Sequence, residues 1–457
     1  MKKRTFIIAL TLVKLCSGYD ALKDYVGDSD FKVGVAINSN NFDDEKYVEA
    51  ASNFNMAVAE NACKLSGIQH IQGNYDFRDC DNHLKFAQNH NMEFRGHCLV
   101  WHSYQPKWFE SITDAKTMEN AIVEYITNVL THYKGKIKAW DVVNEAIDDD
   151  SPMYSFNFRD SFIYRALPNF VDIAFTTARK VDPDVKLFYN DYSTEGKWPK
   201  TTSVYKFIED LVQRNIPIDG VGLQYHTSVQ NQPTFEKINE TISKYCELGI
   251  EVHITEIDVD CSEQCSNKSI EKLQSEVYSN ALKACLGNSC CTAFLVWGVA
   301  DKNSWLGEDK LPLLFDNDFQ PKTQYNQLLN VLKDTLGETI DKEPSNDNKI
   351  TTPTDSPESN DSLKSTDSPD SIDSPNSTDS TKPTDSNYSS ILDENLNSSE
   401  TTTASTQATS TSTSNTEKET DIPTDSGALS ILRSAFSHFK SLILFYMLII
   451  YAYYIVF

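Results

Sequence analysis

Apolar residues fall into short runs, separated by longer stretches with helical spacing. Eight runs stand out: Phe31–Ile37, Phe54–Val58, Phe94–Trp101, Ile137–Val143, Val185–Tyr189, Gly220–Leu223, Val252–Ile254 and Ala293–Trp297. Their near-continuous apolar character predicts strands covered on both faces, as in a parallel sheet. Between them the period changes. Met118, Ile122, Ile126, Val129 and Tyr133 share one helical face, and Gly135 follows as a stop. A second helix is predicted over residues 169–179, just after Pro168 and before Asp182-Pro183, and Phe207, Leu211 and Val212 carry another. Strands alternating with helices predict an α/β fold, a (β/α)8 TIM barrel.

The pattern holds over residues 19–340 and changes on either side. At the front, Lys2, Lys3 and Arg4 precede the short apolar stretch Phe6 to Val13, and Cys16-Ser17-Gly18 supplies small residues for cleavage. Residues 1–18 therefore read as a secretory signal, too short in its apolar core to span a bilayer. Residues 341–425 are dominated by Ser, Thr, Asp, Pro and Asn, with Thr-Asp-Ser repeated at Thr354, Thr366 and Thr384. So few apolar side chains cannot offset the entropy of ordering, and a disordered, glycosylated stalk is expected. N-glycosylation sequons begin at Asn239, Asn267, Asn360, Asn376, Asn387 and Asn397. Residues 426–457 combine the small triplet Ser426-Gly427-Ala428, a spacer with Arg433, His438 and Lys440, and the uncharged segment Ser441 to Phe457. That order is the signal for a glycolipid (GPI) anchor attached near Ser426, with a short membrane helix as the alternative.

The net charge of -25, from 41 Lys+Arg against 66 Asp+Glu, argues against nucleic acid as a partner. Of ten cysteines one lies in the signal, so the mature chain has an odd number and at least one must stay unpaired. Cys285 with Cys291 and Cys261 with Cys265 are local disulfide candidates. No C-x-x-C pair is accompanied by a second pair or by a histidine, so no zinc site is expected.

The chemistry lies at the ends of the apolar runs. Trp140-Asp141-Val142-Val143-Asn144-Glu145-Ala146 and Ile254-Thr255-Glu256-Ile257-Asp258 each bring a glutamate to the end of a buried strand. A carboxylate there is costly to bury and is better explained by work at a barrel mouth. Other runs end alike: Glu60-Asn61 after the second, His97, Trp101 and His102 on the third, Asn190-Asp191-Tyr192 after the fifth, Gln224 and His226 after the sixth, Trp297 and Asp301 after the eighth. All should face one rim. Two such glutamates suit glycoside hydrolysis, one as proton donor and one as nucleophile, with their carboxyls about 5–5.5 Å apart for a retaining mechanism.

These motifs resemble the family-10 glycoside hydrolases, the endo-1,4-β-xylanases, over about Phe31 to Tyr325. Residues 96–103, reading Gly-His-Cys-Leu-Val-Trp-His-Ser, are similar to the family's third strand. Residues 140–146 resemble its acid/base strand and residues 255–258 its nucleophile strand. Residues 297–301 with Ser304-Trp305 resemble the end of its eighth strand, and Leu313-Leu314-Phe315-Asp316 the segment after that strand. The resemblance implies Glu145 as acid/base, Glu256 as nucleophile, and Asn144 as holder of the sugar 2-hydroxyl. His226 would hydrogen-bond the nucleophile, Asp258 would orient His226, and Gln224 would lie close to the nucleophile. Glu60, Asn61, Lys64, His97 and Trp101 would bind sugar on the non-reducing side, while Trp297 and Trp305 would offer apolar faces. The implied partner is xylan or a related β-1,4-glycan, without a cofactor, acted on by a monomer outside the cell. A β-1,4-glucanase on the same barrel and a non-catalytic wall-binding protein are the competing readings. Tyr104, with Gln105 one place later, replaces the family's sugar-binding Gln, Tyr225 stands where a small residue is usual, and Cys98 replaces a Thr. The first two changes concern subsite preference rather than the catalytic pair.

Overall fold

The computed structural model describes residues 19–337 apart from residue 28 and residues 262–266. The signal, the stalk, the anchor segment with Ser426, the sequons at Asn360, Asn376, Asn387 and Asn397, and Cys265 lie outside the described residues.

The strands are β1 Lys32–Ile37, β2 Met56–Ala59, β3 Glu93–Gly96, β4 Val100–Trp101, β5 Ala139–Asn144, β6 Lys186–Asp191, β7 Gly220–Leu223, β8 His226–Ser228, β9 Glu251–Asp260 and β10 Cys291–Val296. Parallel pairing runs β10-β1-β2-β3-β5-β6-β7-β9, and β9 also pairs with β10, which closes the barrel. The eight staves are the eight expected apolar runs. The short β4 continues stave three beside β5, and β8 continues stave six beside β9. Helices such as Ala115–Tyr133, Phe170–Val181 and Pro199–Gln213 return the chain between staves. Their apolar faces pack on the outside of the sheet, so both faces of each stave are covered, as their buried residues show.

Several boundaries differ from expectation. The second stave begins at Met56, not Phe54. The third run is interrupted at His97-Cys98-Leu99, where Leu99 N–H reaches across to Asp141 O at 2.9 Å. The seventh stave continues well beyond Ile254, because Thr255, Glu256 and Asp258 are polar residues inside a buried strand rather than a strand end. Asp301 does not work at the rim: it is fully buried and pairs with Lys322 at 2.8 Å.

The disulfides are Cys63–Cys80, Cys246–Cys290 and the expected Cys285–Cys291. Cys261 is also disulfide-bonded, and Cys98 is free and buried. The first bridge ties the segment after β2, which carries Lys64, to the helix Arg78–Asn89. Of the sequons, Asn239 is half-buried in the helix Phe235–Glu247 and accepts from Asn288, whereas Asn267 is exposed and caps the helix Lys268–Leu286.

Inside the barrel an ion pair replaces apolar filling. Arg95 on β3 donates to both oxygens of Asp141 on β5, and its third nitrogen meets His253 on β9 at 2.7 Å. Burial works against the Asp141 anion, but the Arg95 charge and the His97 hydrogen bond hold it below its ordinary range. Removing one partner of a buried pair strands the other charge. Arg95→Met is therefore expected to destabilise the barrel by about 3–5 kcal/mol, read as a fall in the thermal or urea midpoint. A midpoint equal to wild type would show that the pair contributes nothing.

Candidate active site

The C-terminal ends of the staves surround a cleft of about 420 Å³, lined by Glu60, Asn61, Lys64, His97, Trp101, Asn144, Glu145, Tyr192, Gln224, His226, Glu256, Trp297 and Trp305. All the expected sugar-binding residues are brought together here, with one addition, Tyr192. Asp258 lies directly behind them.

Glu145 is the first residue beyond β5 and has a positive φ of 56°. A residue with a Cβ stays in that region only when its surroundings hold it there. Four hydrogen bonds do so. Glu145 N–H donates to Asn190 O at 2.9 Å, Arg159 donates to Glu145 O at 3.2 Å, and the next two amides donate to the Tyr189 hydroxyl at 3.0 and 3.1 Å. The turn presents the carboxylate to neutral donors: Trp101 Nε1 at 2.8 Å on Oε2, and Gln224 Nε2 at 3.0 Å and Asn144 Nδ2 at 3.3 Å on Oε1.

Glu256 is set differently. It is 4 % exposed. Asn190 Nδ2 donates to its Oε1 at 2.6 Å, His226 Nε2 stands 3.3 Å from its Oε2, and His97 Nδ1 is 3.9 Å from Oε1. The other nitrogen of His226 meets Asp258 at 2.9 Å. Burial alone would push the Glu256 carboxyl up, but the imidazoles of His97 and His226 outweigh it and hold the carboxyl below its ordinary value. Burial likewise opposes a charge on His226, and the two carboxylates reverse this and raise it well above a free histidine. His226 is thus a cation between two anions, donating from both nitrogens.

The carboxylates are linked through two side-chain amides, Asn190 and Asn144. Asn190 Nδ2 donates to Glu256 and, at 2.9 Å, to Asn144 Oδ1, while its own oxygen accepts from Thr255 at 2.7 Å. Room for it depends on Gly222, where a Cβ would lie 2.1 Å from Asn190 Oδ1.

Some side chains stand elsewhere than the sequence suggested. Gln224 contacts Glu145 through its side chain, and Glu256 only through its backbone carbonyl. Trp101, expected to bind sugar on the non-reducing side, and Trp305, expected as an apolar face, are also anchors: their indole N–H groups donate to Glu145 and Asp258 at 2.8 Å. Lys64 reaches Asn61 at 3.0 Å and lies over the Trp101 ring. Gln105 turns back onto the carbonyls of Trp101 and Ser103, and Tyr104 stands 57 % exposed near Lys64. Asn190, Asp141 and Tyr192 carried no role in the sequence reading. The available signal was the place of Asn190 and Tyr192 at a run's polar end, and for Asp141 a carboxylate inside an apolar run.

A family model described as Glycosyl hydrolase family 10 matches residues 21–331. The chain is 58 % identical over 322 residues to endo-1,4-beta-xylanase B of Neocallimastix patriciarum, a match that takes in 70 % of this chain and 36 % of that one. The chain thus spans about a third of the length of that curated relative. The crystal structure of xylanase 10B from Thermotoga maritima superposes with a TM-score of 0.66 at 33 % identity, covering 70 % of this chain and 99 % of that one. Xylanase 10B from Thermotoga petrophila in complex with xylobiose gives 0.65 at 32 %, covering 70 % and 98 %.

Glu256 should be ionised down to more acidic pH than a free glutamate. His226→Ala removes a cationic neighbour and a donor, so the folded-state value rises and the anion is lost at higher pH. The carboxyl titration of Glu256, followed by 13C NMR in both proteins, should move up by about one pH unit or more. An unmoved midpoint would remove His226 as the cause.

Proposed function

The chain belongs to glycosyl hydrolase family 10, and from that premise we propose that it is an endo-1,4-β-xylanase acting with retention at internal bonds of xylan. The observation that carries this reading is the pairing of Glu145 and Glu256 in one cleft, in opposed surroundings and joined through the amides of Asn190 and Asn144. Glu145 gives its proton to the leaving glycosidic oxygen while a Glu256 oxygen bonds to the anomeric carbon. The carbon–oxygen bond breaks, one sugar segment leaves as an alcohol, and the other remains as a glycosyl ester on Glu256. Water then attacks the same carbon, Glu145 takes its proton, and Glu256 is released as carboxylate.

The supporting residues take their roles from their contacts. His226, held by Asp258, keeps Glu256 anionic, as a nucleophile requires. Asn144 has a second hydrogen on its amide nitrogen to offer a sugar hydroxyl beside Glu145. Glu60, held by Asn38, together with Asn61, Lys64 and His97, offers polar groups to the sugar on the non-reducing side. Trp297, edge-on to His97 and His226, and Trp305, 62 % exposed, give apolar surface for sugar rings. No metal or cofactor is needed for either step.

The enzyme is secreted and held at the outer face of the cell by a glycolipid near Ser426. What supports this is the signal-like front, the small triplet with its basic spacer and the uncharged segment 441–457. In the sequence, an acidic, sequon-bearing stretch separates the barrel from the proposed anchor site. Products would then be released beside the cell that takes them up.

The wild-type protein should hydrolyse xylan much faster than carboxymethylcellulose. The reverse order would favour the glucanase, and no hydrolysis of either would favour a wall-binding protein. Glu256→Ala should lower xylan turnover by about 10⁴-fold or more with the fold intact, and azide should restore cleavage of an activated aryl glycoside with inverted stereochemistry. Glu145→Ala should damage poor leaving groups far more than good ones. Near-normal turnover by Glu256→Ala would overturn the assignment.

Treating intact cells with a phosphatidylinositol-specific phospholipase should release active enzyme, and mass spectrometry of the mature chain should not find residues 441–457. Finding them would favour a spanning helix and leave the catalytic reading unaffected.

A further inference from the structure

Between the side chain that touches Glu145 and the side chain that touches Glu256 stands a single residue, Tyr225. Its φ is 66°, in the left-handed region, although it carries a large side chain that is wholly buried. The turn separates β7 from β8 and gives its two neighbours different targets. Gln224 before it donates to Glu145, and His226 after it faces Glu256 and Asp258. A left-handed tyrosine needs outside support. Gln224 is pinned on its backbone, donating to Asp191 O at 3.0 Å and accepting from Glu256 N–H at 3.1 Å. The amide of Tyr225 itself donates to a side chain, Glu195 Oε1, at 2.7 Å.

Glu195 comes after β6 in the same loop as Tyr192 and is 3 % exposed. It lines none of the cleft. Burial pushes its carboxyl up to about 7, against the two backbone donors and the His226 charge that favour the anion. A carboxyl so costly to bury calls for an explanation other than packing.

We propose that Glu195 is a positioning residue, whose carboxyl oxygen fixes the left-handed turn at Tyr225 and so aims Gln224 at the acid/base and His226 at the nucleophile. It acts only through that turn and touches neither substrate nor the reacting atoms. The inference rests on the glycosidase reading of the cleft and adds to it a single hydrogen bond on which both carboxylates depend. Its loss loosens two contacts together, so both formation and hydrolysis of the glycosyl ester slow.

Two conservative variants of the full chain separate reach from charge. Glu195→Gln keeps a carbonyl oxygen at the same reach without the charge. Glu195→Asp keeps the charge but falls one methylene short of the Tyr225 amide. On an aryl β-xylobioside, Glu195→Asp should lose about 10–100-fold in kcat with KM much less affected. The acid limb of its kcat/KM profile should move to higher pH, because His226 no longer holds Glu256 firmly. Glu195→Gln should stay close to wild type in both. Hydrogen exchange at residues 224–226 should speed up in Glu195→Asp and not in Glu195→Gln, and this reads the turn whatever the activity. An inactive wild type would overturn the xylanase reading while exchange still judges the turn. A fully active Glu195→Asp with protected amides, or a defect confined to Glu195→Gln, would overturn the proposal.

Discussion

Glu256 is a carboxylate almost out of reach of water, and its anionic form must be held there by protein alone. An unpaired carboxylate taken into such a site costs several kcal/mol even after relaxation. Much of the barrel mouth can be understood as the offset to that cost. His226 carries a positive charge because two carboxylates, Glu256 and Asp258, lie on either side of it. Asp258 is in turn fixed by the indole of Trp305. On the other flank His97 faces Glu256 and is backed by Asp141, and Asp141 by Arg95. Polar partners thus follow one another from the cleft down into the barrel, and each group is held by the next.

The same arrangement separates the two glutamates chemically. The charged partners gather on Glu256, whereas the hydrogen bonds to Glu145 come from an indole and two amides. Retaining chemistry needs one carboxyl that gives up and recovers a proton and another that attacks as an anion. Environments this different favour the division without any difference in residue type. Asn190 lies between them and donates toward both sides, so the environments stay distinct while their geometry is shared.

The staves were legible in the sequence because covering both faces of a strand forces a continuous apolar run. The run at Gly220–Leu223 matches to the residue. The seventh was cut short because Thr255, Glu256 and Asp258 look like an ending when read along the chain. In space they continue a strand whose polar side chains point into a charged interior. The two glutamates proposed as the catalytic pair were legible through the same anomaly, an ionisable residue on an apolar run. Partners were harder to read. Gln224 pairs with Glu145, 79 residues away, and Asn190 with Glu256, 66 away. Such pairings depend on lateral register between staves and on local turns, which no pattern along one strand records. Tyr225 is a case in point. The resemblance marks it as large where a small residue is usual, but only its φ shows why Gln224 and His226 part company there.

The departures at Tyr104 and Gln105 fall on a different level of the structure. Gln105 uses its amide hydrogens on the carbonyls of Trp101 and Ser103, so it fastens the loop and has none left for a sugar. Tyr104 in turn leaves its ring exposed beside Lys64, whose ammonium also lies over Trp101. An exposed ring thus stands where the resemblance implies a sugar-binding amide, while the chain of partners behind Glu256 contains neither residue. On the proposed reading, a change here would bear on the sugar decoration tolerated and leave the partners of Glu256 in place. Conversely, a change in the chain below would spoil the chemistry for every substrate alike. On the proposed reading the barrel separates selection of the polymer from its cleavage, because loops can vary at the rim and a buried ion cannot lose its partner.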